Sequence, residues 1–264
     1  MAKNIGLIKI SGKVGDLQFF NKEGKAYVGL SSSLSKDRIK KDPAFKRTRE
    51  NMAEFGGAAG VSKNIREYLI PLRSLFEKNL HLRFTSIIRL MMNSGSGVRG
   101  KRAVEFSLNQ EELKGYELNV KSKVSEILYA SMGVTTNTER NQAVLTIAEF
   151  LPADYLLIPE GATHYRIHTA ALSVSNFEPQ GVKAKYKPLN AAQHGLLAIS
   201  STAALTVESA VVGGISLTAD LPGAPTLDPD VSLFTFVGIE FLQEINGIFY
   251  QFASNNAIRI EKVF

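Results

Sequence analysis

One short glycine-rich motif has the residue types of a nucleotide site. Residues 95–100 (GSGVRG) match the pattern G-x-G-x-x-G. In dinucleotide-binding proteins this pattern lies between a strand and a helix, so that helix amides face the pyrophosphate. Here a predicted helix precedes the glycines and a predicted strand follows them. We therefore interpret the segment as a linker and predict no cofactor.

A second feature is a pair of imidazoles, His164 and His168. On a strand the two rings would share one face but lie about 13 Å apart, at roughly 3.3 Å per residue. That separation is too large for one metal ion, and no H-E-x-x-H pattern or third ligand is nearby. We predict a half-exposed strand and no metal site.

The sequence offers no arrangement of a nucleophile with acid–base partners. The chain has no cysteine, which excludes disulfides, thiolate ligands and a cysteine nucleophile. No serine lies in a G-x-S-x-G elbow, although a triad of distant residues stays open because serines are plentiful. The carboxylates of the C-terminal half fall in predicted loops, where nothing pairs two of them for acid–base work. We predict that the protein is not an enzyme.

The most distinctive feature is a basic segment at residues 36–49 (KDRIKKDPAFKRTR). It contains seven basic residues and two acidic ones, and further arginines follow downstream. Such a cluster could contact phosphates or a second subunit, or it could form solvated helix faces. The residues predicted to make subunit or nucleic-acid contacts are Lys36, Arg38, Lys40, Lys41, Lys46, Arg47 and Arg49.

Charge is divided unequally along the chain. Residues 1–110 carry 21 basic and 9 acidic residues, a net charge of +12, whereas residues 111–264 carry 10 and 16, a net charge of −6. A polyanion could bind the basic part, or the basic part of one copy could meet the acidic part of another. Two domains with unrelated surfaces would show the same division.

Composition and length place the chain among globular proteins. Its 264 residues are 44% hydrophobic and 21% charged, as is usual for a folded domain. The longest apolar runs fall far short of the roughly 20 residues that a membrane helix needs, so we predict no membrane insertion. The first residues lack the apolar stretch of a secretory signal. We expect synthesis in the cytoplasm and leave open the release of an assembly.

The first hundred residues predict a small sheet followed by helices. Strands alternate with turns over residues 5–30, and about 26 residues cannot hold a core alone. A serine-rich joint at 31–37 precedes Asp42-Pro43, which is typical of a helix start. Residues 42–92 predict two or three helices, with a kink or a very close helix contact at Gly56-Gly57 and a break or kink at Pro71.

From about residue 104, short apolar segments alternate with turn signals. Asn246-Gly247 predicts a two-residue hairpin turn. The predicted strands are 116–120, 127–132, 143–147, 163–172, 183–186, 196–199, 204–212, 233–243, 248–252 and 257–261. We predict an α+β fold in which an N-terminal β-meander arm (1–34) and a basic helical region (35–103) precede a larger antiparallel β-sandwich (104–264), jelly-roll or Ig-like.

Several phrases resemble a known family. They are GLIKISGKVGDLQFF at residues 6–20, DPAFKRTREN at 42–51, PEGATHY at 159–165 and GIEFLQEING at 238–247. On these phrases the chain resembles a family of uncharacterised proteins of Bacteroidota-type bacteria. The resemblance implies membership in that family and brings no established activity and no catalytic residues.

These observations favour a structural role. The small arm, the divided charge and the lack of a reactive constellation predict a non-enzymatic subunit that self-assembles into a filament, tube or shell through arm exchange and basic-to-acidic contacts. The alternative is a nucleic-acid-binding protein that uses the basic helical region. The predicted partners are other copies of the chain, with nucleic acid as the alternative.

Overall fold

The structure is a computed structural model that describes residues 2–3, 10–31, 34–181 and 185–264. The predicted α+β class is confirmed, with an N-terminal sheet, helices and a larger antiparallel sandwich. The chain divides into two compact units, Met1–Asn51 and Met52–Phe264. The three-part domain division stays a prediction. Parts of the predicted first strand, serine joint and strand 183–186 lie outside the described residues.

The first unit contains an antiparallel four-stranded sheet of order β1-β4-β3-β2. Its strands are β1 (Ala2–Lys3), β2 (Gly12–Val14), β3 (Leu17–Lys22) and β4 (Lys25–Leu30). The turn between β3 and β4 is Glu23-Gly24, and both residues have positive φ, as a tight hairpin requires. Residues 12–14, read from the sequence as part of a turn, form β2 instead.

The helices follow in the predicted region. They are α1 (Lys36–Lys41), α2 (Lys46–Tyr68), α3 (Leu80–Met91), α4 (Val124–Ile127) and α5 (Pro152–Tyr155), with 3₁₀ turns at Pro43–Phe45, Ile70–Leu75, Phe106–Leu108 and Glu111–Leu113. The predicted break at Pro71 is confirmed, because α2 ends at Tyr68 and a 3₁₀ turn contains the proline. The α2 helix runs through both Gly56 and Gly57.

The second unit contains two main antiparallel sheets. Its strands are β5 (Tyr116–Glu117), β6 (Met132–Thr135), β7 (Gln142–Ile147), β8 (His164–Ser175), β9 (Phe177–Gln180), β10 (Lys185–Pro188), β11 (Leu197–Ser201), β12 (Leu205–Thr206), β13 (Ile215–Asp220), β14 (Val231–Ile245), β15 (Ile248–Gln251) and β16 (Ala257–Val263). A seven-stranded sheet has the path β11-β8-β14-β16-β5, with β12 beside β8 and β15 beside β14. A three-stranded sheet has the order β13-β7-β6, and β9 and β10 form a separate hairpin.

The large sheet is covered on both faces. Helices α2 and α3 pack on one face, where Phe234 and Phe236 join a buried apolar cluster. The three-stranded sheet packs on the other face, against a cluster that includes Ile239 and Phe241. Burial on both faces explains why β8 and β14 are buried along most of their length.

One predicted strand was wrong for a non-local reason. Residues 127–132 do not form a strand, because α4 ends at Ile127 and β6 begins only at Met132. The carboxylate of Glu117 accepts hydrogen bonds from the Val124 and Ser125 amides, at 3.0 and 3.1 Å. It satisfies free amides at the start of α4.

Further differences lie at β9 (Phe177–Gln180), which was not predicted, and around β12 and β13. Most of predicted strand 204–212 is turn, with only the short β12 paired to β8. The β13 strand, which pairs with all six residues of β7, was not predicted.

Candidate interaction surfaces

The seven basic residues predicted as a contact surface lie on α1 and at the beginning of α2. Two of the three arginines form ion pairs within this segment. Arg38 Nε lies 3.2 Å from Asp42 Oδ2, and Arg47 Nη1 lies 2.9 Å from Glu50 Oε2. These contacts hold the segment in shape and partly neutralise two guanidinium groups.

Arg49 closes the C-terminal end of α1. Its Nη1 donates to the carbonyl oxygens of Ile39 and Asp42, each at 2.8 Å, and so occupies acceptors that a helix end leaves free. Asp42 caps the next turn, because its Oδ1 accepts from the Ala44 amide at 2.9 Å. That amide and the Arg38 guanidinium hold the pKa of Asp42 below its ordinary value. The predicted helix start at Asp42-Pro43 is confirmed.

The four lysines of the segment are different from its arginines. Lys36, Lys40, Lys41 and Lys46 are exposed. Within the described part of the chain, none of them forms a salt bridge. Lys36 and Lys40 are four residues apart on α1 and share a side of the helix. The segment thus presents ammonium groups on a backbone that the arginines organise.

Two of the downstream arginines, Arg89 and Arg102, form ion pairs with the buried carboxylate of Glu54. Glu54 has no exposed surface, and its carboxylate accepts from Arg102 Nε and Nη2 at 2.8 and 2.9 Å. Arg89 Nη2 lies 2.7 Å from the same group. The Arg102 hydrogen bonds are the main reason that the pKa of Glu54 is lowered to about 2.

The glycine motif ends in this cluster. The Gly100 amide donates to Glu54 Oε1 at 2.8 Å, and the Ser96 amide donates to Glu105 at 3.2 Å. Helix α3 precedes the motif, as predicted, and the described residues 101–115 after it contain only two short 3₁₀ turns. Two amides of the motif therefore bind carboxylates of the protein itself.

Another downstream arginine, Arg83, also forms internal contacts. Its Nε lies 2.6 Å from Glu77 Oε1, and its Nη2 donates to the Glu117 carbonyl oxygen at 2.6 Å. Together with Arg89 and Arg102, it is tied to the body of the second unit. The basic count of the helical region therefore overstates the charge available to a partner.

The N-terminal sheet has one apolar face, which sequence reasoning did not identify. Leu17 pairs with Val14 and Leu30, and Phe19 pairs with Val28, so these side chains point to the same side. Val14, Leu17 and Leu30 are 62%, 43% and 83% exposed. Phe19 and Val28 are half-buried. We call these five residues the apolar arm face.

The opposite side of the same sheet is basic. Lys13, Lys22 and Lys25 lie there by the same register and are exposed. Phe20 stacks on Tyr27 between them, with ring centroids 5.9 Å apart. The sheet is therefore amphipathic. The sequence signal for this face is the alternation of apolar residues along β3. Residues 12–14 were interpreted as a turn, so β2 and its contribution to the face were not predicted.

His164 and His168 lie on one face of β8, as predicted, but the strand is not half-exposed as predicted, because His168 and every later residue of β8 are buried. His168 Nδ1 is 2.7 Å from Ser201 Oγ on β11, and His168 Nε2 is 3.5 Å from Glu240 Oε1 on β14. Arg166 donates to the same Glu240 oxygen. Although burial opposes ionisation of Glu240, His168 and Arg166 hold its pKa below the ordinary value.

We call Ser201, His168, Glu240 and Arg166 the polar ladder. A hydroxyl, an imidazole and a carboxylate are also the groups that make up a proton relay. Its Glu240 carboxylate, however, is already paired with Arg166. Ser201 is exposed. The ladder supplies opposite-charge pairing across neighbouring strands. It joins residues from three separate strands, so spacing along the sequence could not reveal it.

A cleft of about 640 Å³ lies between α2 and the β9–β10 hairpin. Its floor contains Gly56, Gly57 and Gly60, and Lys185 and Lys187 lie at its side. Gly57 makes a close contact with the β9–β10 hairpin and not with a helix as predicted, because an added Cβ would lie 2.2 Å from the Tyr186 ring. The remaining glycines leave helix backbone open to the cleft.

Neither a metal site nor a membrane-spanning helix is present among the described residues. No three His, Asp or Glu side chains of residues 2–3, 10–31, 34–181 and 185–264 come together as a possible metal site. Within that same part of the chain, no helix has the length and apolar character needed to cross a bilayer.

Comparison with protein-family models, with curated proteins and with solved structures finds no match to this chain. The resemblance to a Bacteroidota-type family stays a prediction.

Proposed function

We propose that this protein is a non-enzymatic structural subunit that assembles with copies of itself, using its N-terminal sheet as a connecting arm. The observation that supports this most strongly is the apolar arm face. Burying such a face contributes roughly 25 cal/mol for each Å² removed from water, which a single copy leaves unused at Val14, Leu17 and Leu30.

The first unit also lacks a core of its own. Among its described residues only Ala26 is buried. A small sheet without a packed face is at best marginally stable in water. Contact with another subunit would supply the missing apolar layer, so the arm is expected to become more ordered on assembly.

Charge favours a contact between unlike surfaces. Residues 1–51 carry 12 basic and 5 acidic residues, a net charge of +7, whereas residues 52–264 carry 19 and 20, a net charge of −1. Two arms therefore repel, and an arm meets less repulsion on the body of another copy. A contact between unlike surfaces is heterologous and produces rings or open helical arrays.

The test is sedimentation velocity and negative-stain microscopy of the full chain, over a concentration series at low and moderate salt. Assemblies that grow with concentration are expected. Leu17→Glu should weaken assembly by roughly tenfold or more, because it places a charge on the apolar arm face. Gln18→Glu is the matched control, since it adds the same charge at the next residue on the opposite face.

Folding is monitored by circular dichroism and melting of each variant. Monomers alone at every concentration and salt would overturn the proposal. So would equal loss of assembly in Leu17→Glu and Gln18→Glu, because the effect would then come from charge and not from the apolar arm face.

The four lysines without salt bridges favour one alternative, nucleic-acid binding. Release of counterions from phosphates makes such binding weaken steeply as salt increases. The logarithm of the binding constant falls by about 0.9 for each phosphate contacted, per unit of the logarithm of the salt concentration. Replacing Lys36, Lys40, Lys41 and Lys46 by Gln should then flatten the salt dependence of binding to duplex DNA or RNA. The matched control replaces four other exposed lysines, Lys63, Lys78, Lys114 and Lys121.

An unchanged slope in the first quadruple variant would reject this alternative. Equal flattening in both quadruple variants would reject a specific site, because it would reflect net charge alone. Nuclease treatment of the purified protein shows whether any assembly depends on bound nucleic acid.

A further inference from the structure

We propose that the lysine-bearing side of the N-terminal sheet binds single-stranded nucleic acid, through stacking on its bases and contacts with its phosphates. This inference goes beyond the proposed self-assembly, which uses the other side of the same sheet, and does not depend on it. We call this side the lysine face. The strand register places six described side chains on it: Lys13, Gln18, Phe20, Lys22, Lys25 and Tyr27.

An aromatic pair lies at the centre of the lysine face. Phe20 and Tyr27 are directly opposite each other on β3 and β4, the two inner strands of the sheet. Their ring centroids are 5.9 Å apart and their planes differ by 20°, an offset arrangement in which the rings do not cover each other fully. Both side chains are half-buried, so part of each remains accessible. Proteins that bind single strands use such rings as platforms for bases.

Lysines flank the aromatic pair at both ends. Lys22 and Lys25 follow and precede the two rings by two residues and pair directly with each other. Lys13 lies toward the other end of the sheet, opposite Gln18. Like charges that face each other across two strands repel. None of these three lysines forms a salt bridge in the part of the chain that the structure describes. A phosphate group beside Lys22 and Lys25 would relieve this repulsion.

The described members of the lysine face include no carboxylate. The nearest acidic residues along the chain, Asp16 and Glu23, belong to the two hairpin turns and are exposed. The whole first unit has a net charge of +7, which adds attraction for a polyanion. The local charge and the charge of the unit therefore favour the same kind of partner.

The aromatic pair distinguishes a single strand from other polyanions. An acidic protein segment matches the lysines but brings no bases to the rings, and a duplex keeps its bases stacked inside the helix. Gln18 and Lys22 are four residues apart on β3, about 13 Å at roughly 3.3 Å per residue. This length suits two or three nucleotides, the number that stack on the aromatic side chains of other four-stranded sheets.

The test measures binding to the full chain by fluorescence anisotropy. The probes are single-stranded RNA and DNA of about ten nucleotides and a duplex of the same sequence. Single strands should bind several-fold more tightly than the duplex. Tight binding of either strand supports the inference, and the tighter of the two shows which sugar is preferred.

Two neighbouring phenylalanines provide a matched pair of variants. Phe20→Leu should weaken single-strand binding roughly tenfold, because it removes a stacking ring. Phe19→Leu is the control, since Phe19 is on the same strand but on the apolar arm face, and it should leave binding unchanged. Phe20→Tyr keeps a ring and should bind as the unmodified protein does. Circular dichroism and melting check that each variant is folded.

The lysines are tested through the salt dependence of binding. For single strands the logarithm of the binding constant falls by about 0.7 for each phosphate contacted, per unit of the logarithm of the salt concentration. Replacing Lys13, Lys22 and Lys25 together by Gln should therefore reduce this slope by up to about 2. The control replaces three exposed lysines of the second unit by Gln, namely Lys78, Lys101 and Lys121.

Several results would overturn the inference. They are equal loss of binding in Phe20→Leu and Phe19→Leu, equal flattening of the slope in both triple variants, a duplex that binds as tightly as the single strands, and no binding of any strand. Polyglutamate that competes as well as a single strand would also overturn it, because the partner would then be an acidic protein segment.

Sedimentation velocity of the same mixtures separates this inference from the proposed function. Assembly without strand binding contradicts only the lysine face as a binding surface. Strand binding by a protein that never assembles supports the lysine face and contradicts only the proposed self-assembly.

Discussion

Arg102 donates two hydrogen bonds to the carboxylate of Glu54, from Nε to Oε1 at 2.8 Å and from Nη2 to Oε2 at 2.9 Å. Glu54 itself has no exposed surface. The two residues are 48 positions apart and link α2 to the loop after α3. Arg89 approaches the same carboxylate at 2.7 Å. A buried charge of this kind depends on its partners, since removal of one member leaves the others uncompensated.

We therefore expect Glu54→Gln to destabilise the second unit strongly. The loss should be on the order of 3 kcal/mol, because two guanidinium groups would lose their shared anion. Urea denaturation at neutral pH measures the free energy of unfolding. Glu67→Gln is the control, since Glu67 forms an exposed pair with Lys63 at 3.6 Å and such pairs contribute less than about 1 kcal/mol.

Acid should have the same effect on the unmodified protein. The pKa of Glu54 is about 2 in the folded chain, below its ordinary 4.5, so its stabilisation is present above pH 4.5 and is lost as pH falls toward 2. The Glu54→Gln variant should lack this part of the pH dependence. An unchanged acid profile in the variant would show that the cluster does not depend on the charge of Glu54.

Replacement of glycine by alanine should have opposite effects on stability at different positions of α2, because the surroundings of Gly57 differ from those of Gly56 and Gly60. Gly57→Ala would place a Cβ 2.2 Å from the Tyr186 ring. The ring would have to move, with loss of the 2.7 Å hydrogen bond from its hydroxyl to the Arg102 carbonyl. We expect a loss of roughly 1–3 kcal/mol, as for other overpacked sites.

Gly56→Ala and Gly60→Ala are the matched comparison. Nothing lies within 4 Å of a Cβ added at either position. Alanine should stabilise the helix by up to about 1 kcal/mol at each. Thermal melting of the three variants tests this ordering, and a stabilised Gly57→Ala would contradict the packing that we describe.

His194 predicts a second pH effect, at a higher pH than Glu54. Burial lowers the pKa of His194 to about 4 from an ordinary value of 6.5. Its Nε2 lies 2.6 Å from Asn64 Oδ1, and its Nδ1 lies 3.2 Å from the Ser175 amide nitrogen. This pattern fits a neutral ring in which Nε2 donates and Nδ1 accepts.

The unfolded chain therefore binds more protons than the folded chain between pH 6.5 and 4. Stability should fall as pH falls through this window, by up to about 3 kcal/mol, and His194 should contribute no further change below pH 4. His194→Gln should flatten this slope in urea titrations at several pH values. His81→Gln, at an exposed position, should leave the slope as it is.

The sequence predicted the parts of the fold that depend on local chemistry. Asp42-Pro43 begins a helical segment and Asn246-Gly247 forms a tight turn because their own backbone preferences require it. The apolar run of β14 was recognisable because both faces of the large sheet are buried, whereas the polar residues at the beginning of β8 favoured a half-exposed strand that the structure does not show.

What the sequence missed depends on contacts between distant residues. Glu117 caps α4 from seven residues away, and α4 contains Ile127, the first residue of the predicted strand 127–132. The basic cluster was visible from composition, yet which charges are free could not be read from it. Arg49 and Arg102 bind within the chain, whereas Lys40 and Lys41 do not form salt bridges in the described residues.

Tyr165, which is buried, and Tyr186, which is half-buried, provide the last prediction, because only the Tyr186 hydroxyl has a partner among the described residues. Burial raises the pKa of both Tyr165 and Tyr186 to about 12. The Tyr186 hydroxyl donates to the Arg102 carbonyl at 2.7 Å, whereas the Tyr165 hydroxyl has no hydrogen-bond partner among the described residues. Leaving a buried polar group unpaired costs about 1–3 kcal/mol.

Removal of the hydroxyl should therefore act in opposite directions. Tyr165→Phe should leave stability unchanged or raise it by about 1 kcal/mol, because it removes an unpaired polar atom from the apolar cluster between the two sheets. Tyr186→Phe should lower stability by about 1 kcal/mol, because it breaks a hydrogen bond. Urea denaturation of both variants at neutral pH measures the difference. A destabilised Tyr165→Phe would mean that this hydroxyl has a partner, such as a buried water molecule, inside the sandwich.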